Sequence, residues 1–276
     1  MIAKSACRTA FVSFATPASV PLQLAGRLTL PDSVGRAGAA VLICHGSDGV
    51  DGRGEFHADA LNASGIATLE VDMWSARGSV RGAAARPATP LATMTDAFGA
   101  LQFLRDQPEI DPAQIGIMGF SWGGVVTLLA TSRARTEDLA GDGPGFAAHA
   151  ALYPVCWAYG RVPGLSLNGR TGAPILLLTG DADAYDTPDA GERLAAALRS
   201  DGEAGEILSE TFAGATHGFD RDLPMQVIQD PFAHEGRGGP VTMAFHPQAA
   251  AAARRSVAAF FVRTLVPTGA GPPKAP

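Results

Sequence analysis

The sequence predicts an α/β fold in which a mostly parallel central sheet carries helices on both faces. Short apolar runs that suit strands buried on both faces recur along the chain, and stretches with helical spacing separate them. The length of 276 residues is enough to bury one sizeable core. We therefore expect a single domain over residues 1–266, followed by a flexible tail over residues 267–276.

The elements follow from the spacing of apolar residues. Alternation over residues 8–31 predicts an N-terminal antiparallel pair of strands. Short apolar runs predict parallel strands at 41–44, 66–71, 115–118, 150–153 and 175–178. Helical spacing predicts helices at 93–107 and 122–132, and a last helix from Pro247 to Leu265. Stretches without periodicity predict loops at 76–90, 157–172 and 220–246.

Composition argues against several classes of partner. The formal net charge is −6 and the arginines are scattered, so nucleic acid is not an expected partner. The three cysteines show no metal-ligand spacing, and we expect neither a metal nor another cofactor. No apolar run reaches the ~18 residues of a membrane span, and no signal peptide is recognisable. We expect a cytoplasmic monomer or homodimer that does not bind a membrane.

The segment Gly119-Phe120-Ser121-Trp122-Gly123 is the first candidate for chemistry. It follows a predicted strand and precedes a predicted helix, which is the context of a nucleophile elbow. Glycines two residues before and after the serine allow the backbone to turn sharply and expose the hydroxyl. The alternative is an ordinary helix start with Ser121 as its N-cap.

A serine nucleophile needs a base and an acid that orients the base. His217 lies in a glycine-flanked loop after the apolar run 207–212, and Asp183 lies in the turn after the strand at 175–178, with Asp181 as the alternative acid. The order Ser121, Asp183, His217 is that of α/β-hydrolases. Four other histidines are expected to be surface or capping residues: His57, His149, His234 and His246.

Backbone N–H groups are expected to bind the oxyanion of the tetrahedral intermediate. The loop His45-Gly46-Ser47-Asp48-Gly49 follows the strand at 41–44, where such folds supply one donor. We assign the oxyanion hole to the N–H groups of Ser47 and Trp122. A plain strand-to-loop turn is the alternative explanation of these glycines.

Together these segments resemble the dienelactone hydrolase family of α/β-hydrolases. The resemblance is carried by Cys44 to Gly49, Val71 to Trp74 with Arg77-Gly78, Ile117 to Gly124, Gly180 to Asp183, Thr216 to Phe219, and Phe245 to Ala250. It implies an α/β-hydrolase fold and places the catalytic acid at Asp183. The family's namesake enzymes carry cysteine where Ser121 stands and glutamate where Gly46 stands. The resemblance thus implies a serine enzyme rather than the dienelactone substrate itself.

The resemblance also suggests where substrate binds. Arg77 and Arg221 lie near the positions of two arginines that grip a substrate carboxylate in the family, although either could form a surface salt bridge instead. Aromatic residues that include Trp74 and Tyr185 suggest an apolar or aromatic acyl pocket, or could belong to the core.

The expected activity is hydrolysis of carboxylic esters or lactones through an acyl-enzyme on the triad of Ser121, Asp183 and His217. A peptidase or amidase using the same triad is one alternative. A ligand receptor of the same fold without turnover is the other. Ester and anilide substrates separate the first pair, and labelling by a fluorophosphonate separates enzyme from receptor.

Overall fold

The computed structural model describes residues 6–32, 38–78 and 86–266. Eight of the described strands form one sheet in the order β1-β2-β4-β3-β5-β6-β7-β8, and β9 and β10 form a separate hairpin. The strands are β1 (Cys7–Ala15), β2 (Gln23–Pro31), β3 (Gly38–Cys44), β4 (Ala67–Asp72), β5 (Ile110–Phe120), β6 (Ala148–Leu152), β7 (Ile175–Gly180), β8 (Ile207–Phe212), β9 (Gln226–Asp230) and β10 (Gly239–Met243).

Helices cover both faces of this sheet, as predicted. Side chains of α1 and α7 pack in one apolar cluster on one face, and those of α2, α3 and α5 pack on the other. The helices are α1 (Gly52–Ala63), α2 (Met94–Arg105), α3 (Trp122–Leu129), α4 (Arg133–Leu139), α5 (Ala190–Ser200), α6 (Ala233–Gly236) and α7 (Pro247–Leu265). The last helix begins at Pro247, where a missing N–H costs no intrahelical bond.

Strand direction confirms the predicted fold class. β2 is antiparallel to both β1 and β4, whereas every pairing from β4 through β3, β5, β6 and β7 to β8 is parallel. The carboxyl ends of the parallel strands meet at one edge of the sheet, where α/β folds bind their ligands. The segments that follow β3, β5, β7 and β8 therefore converge there.

The predicted loop at 220–246 is wrong in part, because it contains the antiparallel hairpin of β9 and β10. Its strands are five residues long and interleave polar with apolar positions, so they carry little sequence signal. The segment 157–172 contains no described strand or α-helix, as expected. Part of the predicted loop at 76–90, and the predicted tail at 267–276, lie outside the described residues.

Two of the four remaining histidines were wrongly expected at the surface. His57 and His149 are both buried, because their helix and strand face the core. His246 is the N-cap of α7 and accepts a hydrogen bond from the N–H of Ala249, as a capping residue does. Within the described ranges, no helix is long and apolar enough to cross a bilayer.

Candidate active site

Ser121 stands at a strained turn between β5 and α3. Its φ is 51° and its ψ is −110°, a conformation that costs a non-glycine residue free energy. A Cβ at position 119 would lie 2.3 Å from the backbone of Gly123, and one at position 123 would lie 2.1 Å from the carbonyl oxygen of Cys44. Both glycines are therefore required by close backbone packing, which is the physical content of the nucleophile-elbow pattern.

The structure brings the three predicted triad side chains together. The Nδ1–H of His217 donates to Oδ2 of Asp183 at 2.7 Å, and Nε2 of His217 lies 2.8 Å from Oγ of Ser121. Because Nδ1 carries the proton toward the carboxylate, Nε2 of the neutral ring is free to accept the serine proton. Ser121 makes no side-chain capping bond to α3, so its hydroxyl serves the histidine rather than the helix.

The three aspartates after β7 have three different partners. Asp183 binds His217 through one oxygen and accepts the N–H of Tyr185 through the other, at 2.9 Å. Asp181, the alternative acid, accepts the N–H of Gly214 and braces the loop that carries the histidine. Asp186 accepts two backbone N–H groups from the turn after β6; burial and the nearby charge of Asp183 raise its pKa to about 6.

The loop after β3 is fixed by a buried histidine. Nδ1–H of His45 donates to the carbonyl oxygen of Gly46, and Nε2 accepts the N–H of Met73 at the end of β4. Burial lowers the pKa of His45 to about 4, so the ring is neutral and can both donate and accept. Trp74 donates its indole N–H to the carbonyl oxygen of Ser47 at 3.0 Å. His45 and Trp74 thereby fix the backbone of this loop.

The two predicted oxyanion donors are unengaged in the part of the chain that the structure describes. Trp122 is the first residue of α3, so its N–H has no intrahelical acceptor. The N–H of Ser47 also donates to no described acceptor, and both residues line the cavity next to Ser121. A helix N-terminus adds a positive potential at the same point. This arrangement suits a developing negative charge.

Two cavities meet at Ser121. The larger has a volume of about 120 Å³ and is mostly apolar; its lining includes Trp122, Val125, Val155, Trp157, Ala158, Val162, Leu165, Tyr185 and Phe232. The smaller, of about 30 Å³, lies on the side of His217 and includes Asp48, Arg53, Tyr185, Ile228, Asp230 and Met243. Ser47, Ser121 and Tyr185 line both. The site thus offers an apolar side and a more polar side.

Arg86 lines the apolar cavity and was not singled out in the sequence. It donates to Oγ of Ser47 at 2.9 Å and to the buried carboxylate of Asp230 at 3.1 Å. Its guanidinium also lies 5.6 Å from the ring of Trp122 and 5.4 Å from that of Phe232. An isolated arginine in an aperiodic segment gives no sequence signal of these contacts, and Asp230 is 144 positions away.

Arg53 is a second arginine that sequence analysis missed. It lies at the start of α1 and donates to both oxygens of Asp51 and to the hydroxyl of Tyr153. A Cβ at position 46 would lie 3.2 Å from one of its guanidinium nitrogens. The guanidinium of Arg53 therefore lies close to the space that a side chain at Gly46 would enter, where the family's namesake enzymes carry glutamate.

The arginines expected to grip a substrate carboxylate are both paired. Arg77 forms two hydrogen bonds to the buried carboxylate of Asp96, and Arg221 lies 2.9 Å from Asp48. Neither arginine lines the two cavities, and Trp74 is buried behind the loop rather than in the cleft. These positions correct the expectation for Arg77, Arg221 and Trp74. Tyr185 lines both cavities.

A second buried histidine–aspartate pair lies behind the site. The Nε2–H of His57 donates to Asp220 at 2.9 Å, and the other oxygen of Asp220 accepts the hydroxyl of Tyr153. The ring of Tyr153 lies 4.9 Å from that of His217 in an edge-on arrangement. His57 and Asp220 are 163 positions apart, so sequence spacing does not reveal the pair.

Solved structures of other hydrolases share this fold. A dienelactone hydrolase-like promiscuous phosphotriesterase, P91, from metagenomic libraries gives a TM-score of 0.66 at 20% identity, covering 94% of this chain and 99% of that chain. A dienelactone hydrolase from Anabaena variabilis gives 0.60 at 20% identity, with the same coverage of 94% and 99%. An esterase from Thermogutta terrifontis gives 0.65 at 16% identity, over 95% of this chain and 97% of that one.

The sequence relatives match a smaller share of this chain than the solved structures do. An uncharacterized protein of Mycobacterium tuberculosis, from two strains, is 27% identical over 177 residues. The match spans 60% of this chain and 60% of the relative. The model of the dienelactone hydrolase family, by contrast, matches residues 24–265, which include every strand from β3 to β10 and the three triad residues. By this match, the chain is a member of the dienelactone hydrolase family.

Proposed function

We propose that this protein hydrolyses carboxylic esters or lactones through an acyl-enzyme formed on Ser121. Membership of the dienelactone hydrolase family supports ester hydrolysis as the reaction class. The observation that carries the proposal is the unbroken hydrogen-bonded chain from Ser121 through His217 to Asp183. These three hydrogen-bonded side chains lie beside a cavity large enough for an acyl group.

In the first step, Oγ of Ser121 attacks the carbonyl carbon while Nε2 of His217 takes the hydroxyl proton. A carbon–oxygen bond forms, and the π pair of the carbonyl moves onto its oxygen. The N–H groups of Ser47 and Trp122 stabilise that charge. Asp183 stabilises the imidazolium that results. Collapse of the intermediate breaks the bond to the leaving oxygen, which takes the proton from His217.

In the second step, water replaces the leaving alcohol. His217 removes a proton from water as it attacks the acyl-enzyme, and the same N–H groups bind the second oxyanion. Collapse returns the proton to Oγ of Ser121 and releases the carboxylic acid. In a lactone the acid and alcohol remain in one molecule, so the product is a single hydroxy acid.

The two cavities support one orientation of the substrate. The 120 Å³ cavity lies at the side of Trp122 and is lined by aliphatic and aromatic side chains, which suits an apolar acyl group. The 30 Å³ cavity contains His217, which must reach the leaving oxygen. We therefore expect short or medium apolar acyl groups with small leaving alcohols.

The decisive experiment compares the wild-type protein with Ser121→Ala on p-nitrophenyl butyrate. We expect kcat to fall by ~10³-fold or more with circular dichroism unchanged, because the nucleophile is lost. Ser200→Ala, at the end of α5, is the matched control and should turn over like wild type. A fluorophosphonate should label the wild type and not Ser121→Ala. Full turnover by Ser121→Ala would refute the proposal.

Substrate class separates the remaining alternatives. An esterase cleaves p-nitrophenyl butyrate far faster than the corresponding anilide, whereas a peptidase or amidase cleaves both. A receptor of this fold turns over neither substrate.

A further inference from the structure

We propose that the hydroxyl of Ser47 is a third donor to the oxyanion, held and polarised by Arg86. This inference rests on the proposed function, because it adds a side-chain donor to the two backbone donors named there. It assigns a role to an arginine in the cleft that neither the nucleophile pattern nor the triad uses. It also makes the Arg86–Asp230 ion pair part of the machinery that stabilises the transition state.

The position of the Ser47 hydroxyl supports this role. Ser47 and Ser121 line both cavities, so Ser47 stands beside the nucleophile at the boundary between the acyl and leaving-group sides. Its backbone is fixed, because Trp74 binds its carbonyl oxygen at 3.0 Å. A side chain on so constrained a backbone occupies the same place before and during the reaction, which is what electrostatic preorganisation requires.

The hydroxyl proton of Ser47 is available for donation. A serine hydroxyl has one proton to donate and two lone pairs to accept with. Nη1 of Arg86 donates to Oγ of Ser47 at 2.9 Å, which occupies a lone pair and leaves the proton uncommitted. Across residues 6–32, 38–78 and 86–266, no acceptor for that proton is found. A developing oxyanion beside Ser121 is the acceptor that the cleft would supply.

Several contacts hold the side chain of Arg86 in place. Asp230 is 2% exposed, and its carboxylate accepts from Nη2 of Arg86 at 3.1 Å. The rings of Trp122 and Phe232 lie within 5.6 Å of the guanidinium carbon. The same carboxylate also interacts with the hydroxyl of Tyr185. An arginine anchored at these points cannot swing away, so its charge stays next to Ser47.

The chemical consequence follows from charge-assisted hydrogen bonding. When a cation donates to a hydroxyl oxygen, the proton of that hydroxyl becomes a stronger donor. As Oγ of Ser121 bonds to the carbonyl carbon, the carbonyl oxygen gains charge and the Ser47 hydroxyl bond strengthens. The ground-state carbonyl carries less charge, so the contact favours the transition state and raises kcat more than it lowers KM.

The first test is Ser47→Ala, which removes the hydroxyl and keeps the backbone N–H. We expect kcat on p-nitrophenyl butyrate to fall about 10²-fold with KM within about twofold, as for other single oxyanion donors. A trifluoromethyl ketone inhibitor, which forms an oxyanion on Ser121, should lose affinity by a similar factor. Ser200→Ala is again the matched control. A wild-type kcat in folded Ser47→Ala overturns the inference.

The second test is Arg86→Met, alone and combined with Ser47→Ala. If Arg86 acts through the hydroxyl of Ser47, the substitution Arg86→Met alone should lower kcat by about tenfold. In the Ser47→Ala background, the same substitution should change kcat little. Arg193→Met, at an exposed position on α5, is the control. Because Arg86→Met leaves a buried carboxylate unpaired, Arg86→Met/Asp230→Asn is the alternative if the single variant does not fold.

An anionic ester tests the alternative role of Arg86, which is to bind a substrate carboxylate. If Arg86 instead binds a substrate carboxylate, Arg86→Met raises KM for mono-p-nitrophenyl succinate and leaves kcat for p-nitrophenyl butyrate unchanged; that result overturns the inference. Labelling of Ser121 by the fluorophosphonate separates the two levels of failure. Labelling with normal turnover in Ser47→Ala contradicts the Ser47 role alone, whereas turnover in Ser121→Ala contradicts the proposed function itself.

Discussion

The two buried histidine–aspartate pairs of this protein have the same chemistry and different surroundings. His217 and Asp183 are 2.7 Å apart, and His57 and Asp220 are 2.9 Å apart. In each pair one ring nitrogen donates to a carboxylate. The second nitrogen of His217 meets the hydroxyl of Ser121 at 2.8 Å, whereas the second nitrogen of His57 has no hydrogen-bond partner among the described residues.

A buried histidine–aspartate pair therefore does not by itself identify a general base. A carboxylate fixes the tautomer of either ring, but only a nucleophile at the other nitrogen makes the ring useful for acyl transfer. The His57 pair instead binds Tyr153, whose ring packs against His217. We infer that one pair performs the reaction and the other supports the wall behind it.

The largest expected effect is the contrast in activity between His217→Gln and His57→Gln. Loss of the base in His217→Gln should lower kcat by ~10³-fold or more. His57→Gln should retain kcat within about threefold at a temperature where it is folded, because His57 touches no reacting atom. Steady-state kinetics on p-nitrophenyl butyrate measures both. Equal losses in the two variants would break the distinction.

The second prediction reverses the ranking, with stability as the measurement. His57→Gln removes one partner of a pair that is fully buried on both sides, and such losses cost about 3 kcal/mol of unfolding free energy or more. Urea denaturation followed by circular dichroism gives the value. Arg193→Met, which removes an exposed ion pair with Asp189, is the control and should change stability by less than about 1 kcal/mol. A negligible loss in His57→Gln would contradict a structural role.

The third prediction concerns acid stability and His45. Burial lowers the pKa of His45 from 6.5 to about 4, so the unfolded chain binds this proton more readily than the folded one. This group's contribution, on the order of 3 kcal/mol, is therefore present above pH 6.5 and is lost as the pH falls toward 4. Denaturation of His45→Asn across that range should show a shallower acid loss than wild type. An unchanged pH dependence would exclude this linkage.

An effect of similar size and opposite sign belongs to Glu70 on β4. Burial, opposed by the charge of Arg27, raises the pKa of Glu70 from 4.5 to about 7. The folded carboxyl keeps a proton that the unfolded chain releases, so stability falls as the pH rises from 4.5 toward 7. Glu70→Gln should remove this loss of stability, on the order of 3 kcal/mol, in the same denaturation series. An unchanged or steeper loss of stability with rising pH in that variant would refute the prediction.

Much of the fold and the triad geometry was accessible from the sequence because it depends on local patterns. The apolar runs predicted the strands β3 to β7 within a few residues, since burial on both faces of a sheet demands continuous apolar sequence. The glycines around Ser121 predicted the turn, because close backbone packing excludes side chains there. The hairpin of β9 and β10 escaped prediction, since each strand has only five residues and buries only a few apolar side chains in a small separate cluster.

The sequence does not reveal which partner a polar residue binds when that partner lies far along the chain. Arg77, Arg86 and Arg221 are alike in sequence, yet Arg77 pairs with Asp96, Arg221 with Asp48, and Arg86 with Ser47 at the cleft. The cytoplasmic location, the oligomeric state, the absence of nucleic-acid partners and the single-domain boundaries stay predictions.

Local patterns in the sequence predicted the α/β class, the parallel strands β3 to β7, and Ser121, His217 and Asp183 as the candidate triad. Each of these is written in spacing over a few residues, or in the order of residues at strand ends. The tertiary structure sets which histidine–aspartate pair reaches the hydroxyl of Ser121 and which arginine lines the cavity beside it. Those outcomes depend on distances between side chains about 100 or more positions apart, such as the 144 between Arg86 and Asp230, and only the packed sheet sets such distances.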